Sequence, residues 1–175
     1  MDNNLTENFK KIKIVITDVD GVLTDGRIVI DNNGVEAKFF NVKDGHGIKM
    51  LQRYGYKVIF VTGRESKTVL HRAKELGVAE VYQKVFNKLE CVNKILQNHN
   101  YTFKDLLFCG DDLGDIPVIK RALIGCTVSD AIDECKKFAD FITVKKGGHG
   151  AFREITDLIL KNSKHWEEIK TKYEI

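Results

Sequence analysis

Short apolar runs rich in β-branched and aromatic residues recur along the chain, at residues 13–17 (KIVIT), 57–62 (KVIFVT), 106–109 (LLFC) and 124–128 (IGCTV). None alternates apolar with polar positions, so each predicts a strand covered on both faces, as in a parallel sheet. Residues 141–144 predict a short edge strand. Between these runs the apolar period becomes helical: Val69, Ala73 and Leu76; Leu89, Val92, Ile95 and His99; Ile116, Ile119 and Leu123; Phe152, Ile155 and Ile159. Strands alternating with amphipathic helices predict βαβ units in an α/β fold, a doubly wound parallel sheet.

Two segments break the alternation. Residues 27–41 hold two β-rich runs around Asn33-Gly34 and predict a β-hairpin directly after the first strand, where a simple βαβ unit would begin a helix. Beyond Leu160, Trp166, Ile169 and Tyr173 form an apolar stripe amid Lys and Glu. That stripe predicts a short helix that docks on its own domain or on a neighbouring subunit.

Composition narrows the class. With 175 residues, 43% hydrophobic and 30% charged, the chain predicts one domain, 1–175, large enough for a core of its own. A net charge of +3 is too small for a general nucleic-acid binder. Cys91, Cys109, Cys126 and Cys135 lack C-x-x-C spacing and predict reduced thiols. Residues 1–11 are polar, and no apolar run approaches the roughly 20 residues of a membrane span. The expectation is a cytoplasmic protein with no membrane or nucleic-acid partner.

Ligands of open α/β sheets sit beyond the carboxyl ends of the strands. After the first strand come Asp18, Val19, Asp20 and Gly21; after the second, Thr62, Gly63 and Arg64; after the third, Gly110-Asp111-Asp112-Leu113-Gly114-Asp115. One aspartate at a strand end is an ordinary helix cap. Five converging on one sheet edge repel one another unless a cation joins them. Oxygen donors alone, with no zinc-like His or Cys spacing, suit Mg2+, and Asp18 and Asp111 are the prime candidate ligands.

The run DVDGVLTDG after an apolar strand resembles the first motif of the haloacid dehalogenase (HAD) phosphohydrolases. VTGR with Thr62, FNKLE with Lys88 and GDDLGD resemble the second, third and fourth motifs, in order. The resemblance implies that Asp18 is a nucleophile and Asp20 a general acid/base. It implies Mg2+ held by Asp18, the Asp20 main-chain carbonyl and Asp111. Thr62 and Lys88 would bind the transferring phosphoryl group, while Asp112 and Asp115 would hold waters or orient Lys88. The intervals between motifs are too short for a cap domain. GRIVIDNNGVEAKFFNVKDGHGIKML, VTGRES and KKGGHGAFREITDLIL are similar to the cap-less branch acting on 3-deoxy-D-manno-octulosonate (KDO) 8-phosphate, a step of lipopolysaccharide precursor synthesis. That branch implies a homotetramer assembled through the 27–41 hairpins, each site closed by a neighbour, in some members by its 161–175 tail.

Two rivals share part of this pattern. A phosphatase for a nine-carbon, sialic-acid-like 9-phosphate would use the same catalytic residues. A phospho-accepting receiver domain also combines Asp, Thr and Lys on a doubly wound sheet, but lacks a second aspartate two residues after the phosphorylated one. Arg64, at the rim of the phosphate site, is either an exposed charge or the guanidinium that takes a sugar-acid carboxylate. Gly21 and Gly63 are further candidates for substrate binding. Asp44 is either a helix N-cap or, with His46, a substrate contact. The Gly147-Gly148-His149-Gly150 loop is either a flexible turn or a glycine-rich loop near the sugar or at an interface, with Arg153 as an anchor. His71, His99 and His165 carry no catalytic expectation.

Overall fold

A computed structural model describes residues 3–175. The chain enters through α1 (Asn3–Phe9), whose Phe9 is fully buried, and turns into β1 (Ile14–Thr17), the centre of the sheet. The hairpin strands β2 (Val29–Ile30) and β3 (Glu36–Ala37) come next, then α2 (Val42–Arg53), β4 (Lys57–Val61), α3 (Lys67–Leu76) and β5 (Glu80–Tyr82). The second half adds α4 (Lys88–Asn98), β6 (Leu106–Cys109), α5 (Ile116–Ile119), β7 (Ile124–Thr127), α6 (Asp133–Phe138), β8 (Phe141–Ile142), α7 (Ala151–Lys161) and α8 (Trp166–Tyr173).

The six-stranded sheet runs β5-β4-β1-β6-β7-β8, all parallel, with Ile14 opposite both Lys57 and Leu106. Every residue of β1, β6 and β7 is buried, so both faces of the sheet are covered. One helical group joins α2, α7 and α3; another joins α4, α5 and α6. Order reverses at β1: the chain winds outward through β4 and β5, then returns to β6 on the other side. That switch point opens a crevice at the carboxyl ends of β1 and its neighbours.

The hairpin is shorter in its pairing than the sequence suggests, with Val29 opposite Ala37 and Ile30 opposite Glu36. Its turn spans three residues. The Gly34 amide reaches the Asp31 carbonyl at 3.0 Å, Asp31 Oδ1 accepts from the Asn33 and Val35 amides at 2.9 and 2.7 Å, and Gly34 alone takes positive φ, 77°. Ile28, Ile30, Val35 and Phe39 remain 59–62% exposed.

Other differences have local causes. β5 escapes the apolar-run criterion because all three of its residues are only half-buried at an edge. α5 stops after four residues because the chain must turn into β7, where Gly125 lies against Ile119. α6 buries only Cys135 and so carries no apolar period. Asn41, not Asp44, caps α2, its side chain accepting from the Lys43 amide at 2.8 Å. The terminal α8 docks on its own chain: Ile169 is buried, Arg53 donates to the Tyr173 hydroxyl at 3.2 Å, and the Tyr54 and His165 rings lie 5.1 Å apart. Among the described residues, no helix is long and apolar enough to cross a membrane.

Candidate active site

The adjoining strands β4, β1 and β6 deliver Thr62, Asp18 and Asp111 to one edge. Asp18 leaves β1 with its amide on the Cys109 carbonyl at 2.9 Å, and its Oδ1 accepts from the Val19 amide at 2.7 Å. Lys88, the first residue of α4, reaches back to Asp18 Oδ2 at 2.7 Å and to Asp115 Oδ1 at 2.6 Å. The turn after Asp18 is left-handed at Gly21, φ 87°, and a Cβ there would overlap the Asp111 carboxylate. Glycine is therefore required at this position by both conformation and space.

The GDDLGD segment folds as a capped 3-10 turn. Asp112 accepts from the Leu113 amide at 2.7 Å, and fully buried Asp115 accepts from the amides of Asp111 and Asp112 at 3.1 and 3.2 Å. Of the two roles expected for Asp115, orienting Lys88 is the one its ion pair fits. Asp112 is a solvent-exposed cap.

Carboxylate oxygens of Asp18, Asp111 and Asp115 lie within 4.8 Å of one another. Burial first, then the Asp115 charge, pushes Asp18 up to about 7 against the Lys88 ammonium. Burial, then the charges of Asp18 and Asp115, pushes Asp111 up to about 8. Burial works against the Lys88 ammonium, yet the Asp18 and Asp115 charges outweigh it and raise its pKa. Asp111 Oδ1 is buried without a hydrogen-bond partner. Three close carboxylates sharing one lysine, with one oxygen unmatched, have the donor set and the uncompensated charge that a hard divalent cation satisfies.

A cleft of about 330 Å³ opens above this cluster, lined by these residues with Asp20, Thr62, Gly63, Arg64, Val85 and Phe86. Thr62 is buried, its amide on the Tyr82 carbonyl at 2.9 Å, and its Oγ1 accepts from the Arg64 amide at 3.3 Å. A larger groove of about 750 Å³ lies against the start of β1, at Lys13, Tyr54, Tyr56 and Tyr101. It holds no carboxylate cluster, so chemistry selects the smaller cleft.

Two residues of the cluster escaped the sequence reading. Glu36 in β3 and Lys38, the first residue after that strand, fold back onto residues of the cleft. Lys38 Nζ lies 2.5 Å from Asp20 Oδ1 and 3.3 Å from Glu36. Glu36 accepts from Arg64 at 2.8 Å and from the Ser66 hydroxyl at 2.5 Å. The Arg64 guanidinium is thus an exposed charge with a specific partner. Two charges in an otherwise apolar run were the available signal.

Asp44 and His46 do not line the cleft. Buried Asp44 accepts from the Arg153 amide at 2.7 Å, and His46 Nδ1 lies 3.1 Å from the Arg153 guanidinium, which ties α2 to the start of α7. The 147–150 loop packs on the turn after β1: the Gly148 amide donates to the Val22 carbonyl at 3.0 Å, and a Cβ on Gly147 would overlap the Gly21 carbonyl.

Residues 72–155 match the family model of haloacid dehalogenase-like hydrolases. The chain is 38% identical over 161 residues to the 3-deoxy-D-manno-octulosonate 8-phosphate phosphatases of Salmonella typhi and Escherichia coli K12, covering 92% of this chain and 86% of each relative. A crystal structure of the Moraxella catarrhalis enzyme, in complex with magnesium, phosphate and KDO, superposes with a TM-score of 0.96 at 34% identity over 99% of both chains. The cobalt-bound Haemophilus influenzae enzyme gives 0.85 at 36% identity over 89% of this chain and 91% of that one.

Proposed function

The chain belongs to the haloacid dehalogenase-like phosphatases of the 3-deoxy-D-manno-octulosonate 8-phosphate phosphatase type, a family of phosphoric monoester hydrolases, and from that premise we propose that it hydrolyses KDO 8-phosphate to KDO and inorganic phosphate. The observation that carries this reading is the Asp18–Lys88–Asp115 arrangement, with Asp20 two residues beyond Asp18 on the same cleft. In this reading Asp18 attacks phosphorus, the bond from phosphorus to the sugar oxygen breaks, and Asp20 gives that oxygen its proton. Water then attacks the phosphorus of the aspartyl phosphate, Asp20 takes a proton from the water, and Asp18 leaves as a carboxylate. Lys88 and Thr62 hold and neutralise the transferring group, which is most of what phosphoryl transfer needs from a protein. Asp18, Asp111 and the Asp20 main-chain carbonyl, backed by Asp115, would hold Mg2+. The ion when bound offsets phosphate charge and polarises the phosphorus.

Arg64 stands at the rim, where a guanidinium can take the sugar-acid carboxylate with two parallel bonds. Substrate then competes with Glu36 for it. The exposed apolar hairpin supports assembly as a homotetramer, since such a patch on a two-stranded hairpin is costly in water. Phe86, 94% exposed at the cleft mouth, would be covered by a neighbouring subunit in that assembly. The free thiols Cys91, Cys109, Cys126 and Cys135 suit a reducing cytoplasm. The test is a quenched single turnover with KDO 8-phosphate labelled in the phosphate. Label trapped on the peptide carrying Asp18 supports the reading, and rapid phosphate release with no label on the chain sinks the covalent route.

A further inference from the structure

The catalytic motifs leave two charged groups beside the cleft without a role, Glu36 and Lys38, and Lys38 is the more deeply buried. The Lys38 side chain is only 2% exposed, although it comes from a hairpin whose apolar residues face outward. A buried ammonium is costly unless paired. Lys38 is paired twice, to Asp20 Oδ1 at 2.5 Å and to Glu36 Oε1 at 3.3 Å. Arg64 closes the ring, its Nη2 at 2.8 Å from Glu36 Oε1 and its Nε at 3.8 Å from Asp20 Oδ2. Four charges therefore alternate in sign around Asp20, Lys38, Glu36 and Arg64. The ring is anchored to the motif loop: Ser66 Oγ donates to Glu36 at 2.5 Å, and Thr68 Oγ1 donates to the Glu36 carbonyl at 3.2 Å.

The two oxygens of Asp20 are treated differently. Oδ1 is held by Lys38, while Oδ2 is buried and accepts no hydrogen bond. An acid/base group needs one oxygen free at the reacting proton and a side chain that does not rotate away from it. We propose that Lys38 is a positioning residue for Asp20: it pins one carboxylate oxygen so that the other is presented to the leaving group. This rests on the acid/base role given to Asp20 above and extends it to a hairpin residue outside the four motifs. Without Lys38, the Asp20 and Glu36 carboxylates would share only Arg64, and the Asp20 side chain would lose its nearest contact.

The test separates positioning from a merely structural role through the leaving group. Lys38→Met, Lys38→Gln and Lys38→Arg are compared with the unaltered protein on KDO 8-phosphate, whose sugar oxygen leaves only with a proton, and on p-nitrophenyl phosphate, whose phenolate leaves without one. We expect Lys38→Met to lower kcat on the sugar phosphate about tenfold or more, with KM changed less than about threefold. The first turnover of p-nitrophenyl phosphate should change less than about twofold, and Lys38→Arg should recover much of the sugar-phosphate loss. Lys38→Gln removes the same charge with a polar side chain and gives the same comparison should the Met variant not fold. Equal losses on both substrates, an effect confined to KM, or full activity in both uncharged variants would overturn the proposal. An unaltered protein that releases no phosphate from KDO 8-phosphate would instead overturn the underlying reading, and the proposal with it.

Discussion

Lys88 Nζ lies 2.7 Å from Asp18 Oδ2, at the meeting point of a helix start and a strand end far apart in sequence. The same ammonium lies 2.6 Å from Asp115, so one buried cation faces two carboxylates while Asp111 beside them has none. That imbalance has measurable consequences.

The first is a pH-dependent stability that a divalent cation should reverse. Asp18 and Asp111 are raised to about 7 and about 8. The folded protein therefore keeps protons that the unfolded chain releases in the ordinary carboxylate range. Metal-free stability should fall as pH rises from that range through about 8, then level off. Mg2+ binds the deprotonated cluster, so its stabilising effect should grow over the same interval. Thermal unfolding near pH 6 and near pH 8.5, with and without Mg2+, checks this. The shift caused by Mg2+ should be larger at the higher pH, and equal shifts would argue against the acidic cluster as the cation site. Asp111→Asn should raise metal-free stability and abolish most of the Mg2+ effect.

Asp18→Asn keeps the shape of the side chain but removes the attacking charge. Turnover should fall by about three orders of magnitude or more while the fold survives. A variant keeping a tenth of the activity would remove Asp18 from the nucleophile role. Asp20→Asn should lose about 100-fold or more on an alkyl phosphate, the range for a lost general acid. It should still show the Mg2+-dependent shift in Tm, because the ligand assigned at that position is main-chain.

Arg64→Ala should raise KM for KDO 8-phosphate far more than for a small phosphate ester without a carboxylate. Charge-assisted bonds to a carboxylate are worth about 1.5–3 kcal/mol, or roughly 10- to 150-fold in kcat/KM. Equal losses on both substrates would assign Arg64 to the charge ring with Glu36 rather than to the sugar acid.

The hairpin should carry the assembly. Replacing Ile30 and Phe39, each 59% exposed, by Asp should dissociate the oligomer without unfolding the subunit. Sedimentation of the unaltered protein at micromolar concentration should give a tetramer; a fully active monomer would contradict the interface.

Much of this site was legible in the sequence because its parts sit at the ends of apolar strands. Asp18, Thr62 and Asp111 follow directly from that geometry, and β1, β4, β6 and β7 fall within a residue of where the apolar runs put them. Contacts made by folding back were not legible. The pairing of Lys38 with Asp20 spans 18 positions and depends on the hairpin bending over the cleft. Local hydrogen bonding decided other cases: Asn41 took the cap that Asp44 could have held, and Asp44 was freed to receive the Arg153 amide. Likewise the 3-10 turn after β6 divides two adjacent-looking aspartates into an exposed cap, Asp112, and a buried partner of Lys88, Asp115.

The most direct test of the account is phosphate release from KDO 8-phosphate measured beside a nine-carbon sugar acid 9-phosphate, each with Mg2+ and with a chelator. We expect Mg2+-dependent turnover of the eight-carbon substrate, with a higher kcat/KM than for the nine-carbon one, and no turnover of either in chelator. Preference for the nine-carbon substrate, or turnover of KDO 8-phosphate that survives the chelator, would contradict it.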